Sequence, residues 1–303
     1  MNGGLRHWVR VWVLASRPKT LFAALTPVML GTALAYSEGR GHALAAAAAL
    51  LGAVGIQIGT NLANDYWDAK KGADGHERLG PVRVTAAGML RPSTVFVGMV
   101  LVFTIAASAG LYLALRAGWP VVVIGVASIA CGILYTAGPV PLAYVGLGDI
   151  FTFVFFGLVA TVGTYFVQAL ECSGTAVVLG CVPGFYSVVL LALNNLRDRE
   201  QDFAAGKKTL AVRFGARFAR SEVVFSLFAP ALVPLWMAGG GILTGWMAMV
   251  AVAVCLVTGW RVARPSCRIR DMREINALFP RAGLAAVAMA LVLSVFLLIG
   301  PKG

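Results

Sequence analysis

Charge is scarce in this 303-residue chain: Asp, Glu, Lys and Arg make up only 13% of it, against about a quarter in a soluble domain. With 59% hydrophobic residues and a mean hydropathy of +0.82, the chain reads as one solvated by lipid rather than water. Histidine is nearly missing. His7, His42 and His76 are too few and too far apart for a histidine-based metal centre, so any cation must be held by oxygen, the preference of a hard ion such as Mg2+. The five cysteines, Cys131, Cys172, Cys181, Cys255 and Cys267, include no CxxC and scatter along apolar segments, which predicts single buried thiols and no disulfide framework. The opening MNGGLRHWVRVWVLASRPKT has no compact apolar core and no small-residue cleavage site, so it is read as a basic amphipathic lead-in, with Trp8 and Trp12 near the interface, and not as a signal peptide. The pI near 10.0 reflects membrane topology, and no nucleic-acid partner is expected.

What the chain does have is long apolar runs. At about 20 residues per crossing, nine candidate spans can be drawn: 20–37, 43–64, 93–115, 119–138, 149–169, 175–196, 221–238, 240–260 and 277–299. The seventh and eighth are divided only at Gly239–Gly241. Basic residues test this count independently. Twenty-one of the 25 lysines and arginines fall in the N-terminal segment and in the loops after the second, sixth and eighth spans, while only Arg40, Arg116 and Lys302 fall on the other side. The positive-inside rule then places the N-terminus and those loops in the cytoplasm and the C-terminus outside, a multi-pass protein of the cell membrane. The fold expected is an all-α integral membrane bundle forming a single domain over 1–303.

Seven of the 13 acidic residues gather at the ends of two spans. Asp65, Asp68, Asp74 and Glu77 lie in NLANDYWDAKKGADGHERLGPVRVT (61–85), and Asp198, Glu200 and Asp202 in NNLRDREQDFAAGKKTLAVRFG (194–215). Asn64 precedes Asp68 by four and Asn194 precedes Asp198 by four, 130 residues later, the spacing of a weak internal duplication in which the second and sixth helices carry equivalent ends. Residues three and four apart share a helical face, so Asn61, Asn64, Asp65 and Asp68 are expected on one side of one helix, and Asn194, Asp198 and Asp202 on one side of the other. Two such faces meeting across a bundle would crowd carboxylates at the mouth of a cavity. Divalent cations compensate that crowding, and Mg2+ combines a few carboxylates with substrate phosphates. Lys70, Lys71, Arg78 and Arg83, with Lys207, Lys208 and Arg213, are placed to surround those phosphates. Two other readings remain open on these residues: solvated loop charges, and a carrier of divalent cations. Against the carrier, the acids stand at helix ends and not at mid-membrane.

At these residues the sequence resembles the UbiA superfamily of intramembrane aromatic prenyltransferases, whose signatures are Asn-Asp-x-x-Asp-x-x-x-Asp ending the second helix and Asp-x-x-x-Asp ending the sixth. Here they are NDYWD (64–68) and DREQD (198–202). The third aspartate of the first signature would fall at Gly72, and Asp74 comes two residues late. Together with YTAGPVPLAYVGLGD (135–149) and RPKTLFAALTPVMLG (17–31), the motifs resemble the bacterial 1,4-dihydroxy-2-naphthoate polyprenyltransferases of menaquinone biosynthesis over essentially the whole chain. The resemblance implies nine helices around a central, lipid-accessible cavity with cytoplasmic cap loops.

It also implies the chemistry. A polyprenyl diphosphate and a dihydroxynaphthoate-type aromatic acid would react with loss of CO2, assisted by two Mg2+ ions. Asn64, Asp65, Asp68, Asp74, Asn194, Asp198 and Asp202 are the implied metal ligands, Asp68 and Asp198 foremost. Lys207, Lys208, Arg83, Arg213, Lys71 and Arg78 would hold the diphosphate. Arg17, Lys19, Tyr135 and Asp149 are candidates for the aromatic acceptor, and Phe151, Phe153, Phe155 and Phe156 for an isoprenoid tunnel. Other acceptors the family allows are homogentisate, 4-hydroxybenzoate and a 6-carboxylated naphthoate, with haem or chlorophyllide relatives further off.

Overall fold

A computed structural model describes residues 2–70, 79–80, 83–134 and 146–301, and every regular element in them is helical. The helices are α1 (Asn2–Ser16), α2 (Phe22–Ser37), α3 (Ala43–Lys70), α4 (Pro92–Ala117), α5 (Trp119–Leu134), α6 (Gly148–Ala169), α7 (Gly174–Ala204), α8 (Leu210–Phe228), α9 (Leu232–Gly239), α10 (Gly245–Arg268) and α11 (Leu278–Ile299).

Each of the nine apolar runs corresponds to a helix, but the described helices do not amount to nine full crossings. Six helices and the continuous pair α8–α9 (Leu210–Gly239) are long and apolar enough, and an eighth span arises if Arg6–Thr20 and Phe22–Ser37, bent by 57°, count as one. The 16 residues of α5 reach only about 24 Å, short of the roughly 30 Å hydrocarbon core. The lead-in is indeed an amphipathic helix: Val11 and Ala15 of α1 are buried, Trp8 is exposed, and the Trp8 and Trp12 rings lie 5.5 Å apart. The seventh span begins earlier than its hydropathy suggests, at Leu210, so Arg213, Arg217 and Arg220 ride on a helix, with a kink at Gly215. All five cysteines are free thiols. Cys255 is buried, whereas Cys172 and Cys267 are exposed, against the expectation that all would be buried.

Helix length explains where the acids stand. The 28 residues of α3 and 31 of α7 span about 42 and 46 Å, so their C-terminal turns extend past an apolar slab of roughly 30 Å. Both motifs are therefore the polar continuations of membrane helices and not loops. Close packing locks α6 to α7: a Cβ at Gly157 would stand 2.5 Å from the Gly180 carbonyl and from Gly184 Cα, which only small residues at a helix crossing permit. A second core of Val11, Leu62, Ala63, Val84, Leu90, Val95 and Met99 clamps segment 83–90 onto α3 and α4. At the opposite end of the bundle, Arg116 donates to the Val167 and Gln168 carbonyls at 2.9 and 3.1 Å, and Arg40 pairs with Glu171 at 3.0 Å.

Candidate active site

The last turns of α3 assign different partners to neighbouring acids. Asp65, 2% exposed, accepts the Val84 and Thr85 backbone N–H groups, one on each carboxylate oxygen, at 3.0 and 3.1 Å. Its carboxylate is thereby committed to segment 83–85. Asp65 and Asp68, three residues apart, share one helical face as expected, but the Asp65 carboxylate is taken up by segment 83–85 whereas that of Asp68 is not. Asp68 pairs with Arg83, which also donates to the Asn64 carbonyl. The anchor made by Asp65 thus delivers Arg83 to Asp68.

The end of α7 repeats the arrangement with its own arginine. Arg197 donates Nε–H and Nη2–H to the two oxygens of Asp198, both at 2.7 Å, a forked geometry that fits guanidinium to carboxylate. It also donates to Asn194 Oδ1 and, at 2.9 Å, to Asn276 Oδ1, and its cation lies 5.4 Å from the centre of the Phe279 ring. Asn276 in turn donates to the Leu79 carbonyl at 2.8 Å, tying α7 to the chain that follows α3. Asp68 and Asp198 side chains are equally accessible at 18%, while their arginines are 8% and 1% exposed. Each half of the molecule therefore presents one half-open aspartate braced by one buried arginine. One helical turn beyond Asp198, Asp202 accepts from Lys207 Nζ at 2.8 Å.

Beneath Asn64 lies a cavity of about 550 Å³, lined by α2, α3, α4, α5 and α6. Its polar wall is one stripe of α3: Gln57, Thr60, Asn61 and Asn64. Apart from Ser128, Cys131, Thr152 and Thr164 the rest is apolar, and it includes Phe151, Phe155 and Phe156, on or beside a π-helical turn at Val154–Val159. Of the four expected tunnel aromatics, Phe153 departs: it packs edge-on against Phe185 at 4.9 Å. Leu111, Val122 and Val126 line the cavity and are also 63%, 51% and 64% exposed, so the cavity opens sideways between α4 and α5, where lipid would lie.

Hydrogen bonding fixes how the polar stripe faces. Thr20 Oγ1 donates to the Arg17 carbonyl at 3.0 Å and accepts from Gln57 Nε2 and Asn61 Nδ2, both at 3.1 Å. A hydroxyl has one proton and two lone pairs, so Thr20 is saturated and can receive only the amide N–H ends. Asn61 Nδ2 also donates to the Ser16 carbonyl at 3.0 Å. Gln57 is 7% exposed, and its carbonyl Oε1 is buried with no partner among the described residues. Gln57 lines the cavity, so this acceptor stands unsatisfied at its polar wall.

The remaining expected residues divide. Arg17 (φ 51°) opens the short helical turn Pro18–Thr20, so Arg17 and the exposed Lys19 flank the polar stripe. Lys208 and Arg213 meet the start of α6: a Cβ at Gly146 would lie 2.5 Å from the Lys208 carbonyl and 3.3 Å from the Arg213 guanidinium, and with φ +77° the position suits glycine alone. Asp149, three residues on, is buried, and its Oδ1 has no partner among the described residues. Lys71, Asp74, Arg78 and Tyr135 lie outside the described residues. Among the described residues no three carboxylate, histidine or cysteine side chains gather closely enough to hold a metal. Sequence reasoning missed Gln57, Thr20 and Asn276, counted Arg197 only as a topological charge, and placed Asn61 on the acid face without a partner. The i, i+4 spacing of Gln57 and Asn61 in an otherwise apolar run was the available signal.

A model of the UbiA prenyltransferase family matches residues 24–279. The 1,4-dihydroxy-2-naphthoate octaprenyltransferase of Mycobacterium leprae is 36% identical over 280 residues, covering 92% of this chain and 93% of its own. The enzyme of that name from Escherichia coli is 32% identical over 300 residues, 95% and 96% of the two chains. A UbiA homologue from Archaeoglobus fulgidus bound to GPP and Mg2+ superposes with a TM-score of 0.65 at 14% identity, covering 92% of this chain and 99% of the other.

Proposed function

The chain belongs to the UbiA prenyltransferase family, and from that premise we propose that it transfers a polyprenyl group from polyprenyl diphosphate to 1,4-dihydroxy-2-naphthoate, with loss of the carboxylate as CO2. The observation that carries this reading is the pair of partly accessible aspartates: Asp68 ends α3, which lines the lipid-open cavity, and Asp198 ends α7, which packs on the cavity-lining α6. The naphthoate relatives supply the acceptor class.

In the proposed reaction the tail lies along Phe151, Phe155 and Phe156, and the diphosphate meets the basic residues around Asp68 and Asp202: Arg83, Lys207, Lys208 and Arg213. The C1–O bond of the donor breaks and diphosphate leaves with the electron pair. The electron-rich ring carbon bearing the carboxylate forms the new C–C bond. The C–CO2 bond then breaks and returns its electrons to the ring, so no protein base has to remove a proton there. The Gln57 carbonyl oxygen accepts a ring hydroxyl of the acceptor, orienting the ring at the polar end of the cavity.

The donor set at the mouth fits Mg2+: carboxylates of Asp68, Asp198 and Asp202 with amide oxygens of Asn64 and Asn194, and neither imidazole nor thiolate. Bound there, Mg2+ would neutralise charge developing on the departing diphosphate. Arg83 and Arg197 hold the Asp68 and Asp198 carboxylates in place and balance their charge. The end of the bundle carrying both motifs would face the cytoplasm, where the positive-inside rule puts it.

Membranes containing the protein, labelled farnesyl diphosphate, Mg2+ and carboxyl-labelled 1,4-dihydroxy-2-naphthoate are expected to release labelled CO2 together with prenylated product. Asp68→Ala and Asp198→Ala should each lower the rate on the order of a hundredfold or more, as loss of transition-state charge stabilisation does. Full activity in both variants would overturn the assignment.

A further inference from the structure

Away from the catalytic mouth, α10 and α11 enclose a second concavity of about 490 Å³ lined by Thr258, Trp260, Arg261, Arg264, Pro265, Arg281 and Leu284. Three of its seven lining residues are arginines, and all three are exposed. Among the described residues, no carboxylate pairs with any of them, although other cations at this end of the bundle are paired, as Arg83, Arg197 and Lys207 show. Arg281 stands in the first turn of α11, where a helix favours an anion and disfavours a cation. Trp260 and Leu284, 59% and 61% exposed, mark the groove as facing the membrane rather than the helix bundle. Its depth is set by the chain: Arg261 and Arg264 lie in the last two turns of α10 and Arg281 in the first turn of α11, at the end where Asn276 meets Arg197. Three guanidiniums confined to one groove at a membrane interface repel one another unless an anion lies between them. Guanidinium forks match phosphate oxygens, and a volume of this size admits a whole headgroup.

We propose that this groove binds the phosphate of an anionic phospholipid headgroup from the leaflet on the active-site side, with Arg261, Arg264 and Arg281 on the phosphate, Trp260 at the headgroup level and Leu284 along the start of an acyl chain. Basic grooves between membrane helices on the cytoplasmic side are suited to such headgroups. The bland alternative is a topological charge cluster that binds nothing in particular. It predicts that any three arginines of this region are equivalent.

The test uses the full-length chain in nanodiscs of phosphatidylcholine with one-fifth phosphatidylglycerol, released into native mass spectrometry to count retained lipid. The wild type is expected to keep one phosphatidylglycerol per chain in preference to phosphatidylcholine. The triple variant R261Q/R264Q/R281Q should weaken retention by about fivefold per arginine, on the order of a hundredfold together. The charge-matched triple R268Q/R270Q/R273Q, outside the groove, should retain it. Should the first triple fail to fold, the single variant R264Q carries the same comparison, with a loss of about fivefold. Equal loss in the two triples, or no preference in the wild type, would overturn the site. In a parallel arm inorganic phosphate is added at millimolar concentration. Displacement of the lipid by free phosphate at that concentration would show a phosphate site without lipid selectivity and overturn the headgroup assignment, whereas undiminished lipid retention supports it.

Discussion

Asp65 and Asp68 are three residues apart on one helix, yet their surroundings divide their work. Both oxygens of Asp65 are spent on backbone N–H groups, whereas Asp68 is partly accessible and paired with the buried Arg83. Asp65→Asn sets an amide N–H against a backbone donor, and the loss of a charged hydrogen bond is worth roughly 2 kcal/mol. Its expected signature is a lower thermal midpoint with the Mg2+ concentration for half-maximal rate unchanged. Asp68→Asn should do the reverse, keeping the midpoint and raising the Mg2+ requirement. Thermal unfolding and Mg2+ titration of the rate, run on both variants, check the division; a raised Mg2+ requirement in Asp65→Asn would make Asp65 a ligand after all. At Gln57 the expectation is specific to the acceptor. Gln57→Leu removes the one oriented carbonyl, so KM for the naphthoate should rise on the order of tenfold while KM for the prenyl diphosphate stays. A mono-O-methyl acceptor, lacking the donated proton, should be used equally well by wild type and variant. Asp68 and Asp198 could be proposed from the sequence because doubled Asn-x3-Asp spacing survives without any contact information. The commitments of Asp65, Gln57 and Arg197 could not, because they depend on partners 19, 37 and 79 residues away.

At the scale of elements, hydropathy located the membrane helices but stopped α3, α7 and α10 too early. A helix persists wherever its backbone bonds continue, so α3 and α7 run on through polar residues that a hydropathy window reads as loop. In the proposed site these extra turns would carry Asp68 and Asp198 on helix ends, where no loop has to order when substrate arrives. The α6–α7 contact holds this geometry, since α6 brings the aromatic wall and α7 the second motif. Gly157→Val would press a branched side chain onto the α7 backbone at a point where even a Cβ is 2.5 Å from its neighbours. Overpacking of this kind costs about 1–3 kcal/mol. Gly157→Val should therefore lower thermal stability and, by displacing Phe155 and Phe156, also slow turnover, with Gly157→Ala showing a smaller version of both. Differential scanning of the detergent-solubilised variants beside steady-state rates measures the two effects together. Unchanged stability in Gly157→Val would mean that the two helices separate at no cost.

The cavity belongs to the whole molecule, which is why the sequence pointed to it only through the family resemblance and the aromatic run 151–156. Five helices contribute to its wall, mostly through alanine, glycine and valine positions that look like any other membrane helix. Its long axis can still be derived from packing. α4 runs antiparallel to α3, with Phe103 against Gly59 and Ala106 against Gly55, so Gly110 lies a further turn from the motif end. That places it beside residues 51–52 of α3, about 18–20 Å along the helix from Asn64 at 1.5 Å per residue. Gly110 lines the cavity, and a Cβ there meets nothing within 4 Å, so a large side chain can enter without moving the backbone. Gly110→Trp should consequently shorten the room available to the tail while leaving the mouth intact. With a three-unit donor such as farnesyl diphosphate, kcat/KM is expected to stay within about twofold of wild type. With a donor of eight units it should fall by tenfold or more, because one to two kilocalories of lost apolar contact accompany each displaced isoprene-sized group. If the long tail instead leaves the cavity between α4 and α5 before reaching this depth, both donors will be handled alike by Gly110→Trp, and Val126→Trp at the lateral opening will be the variant that separates them.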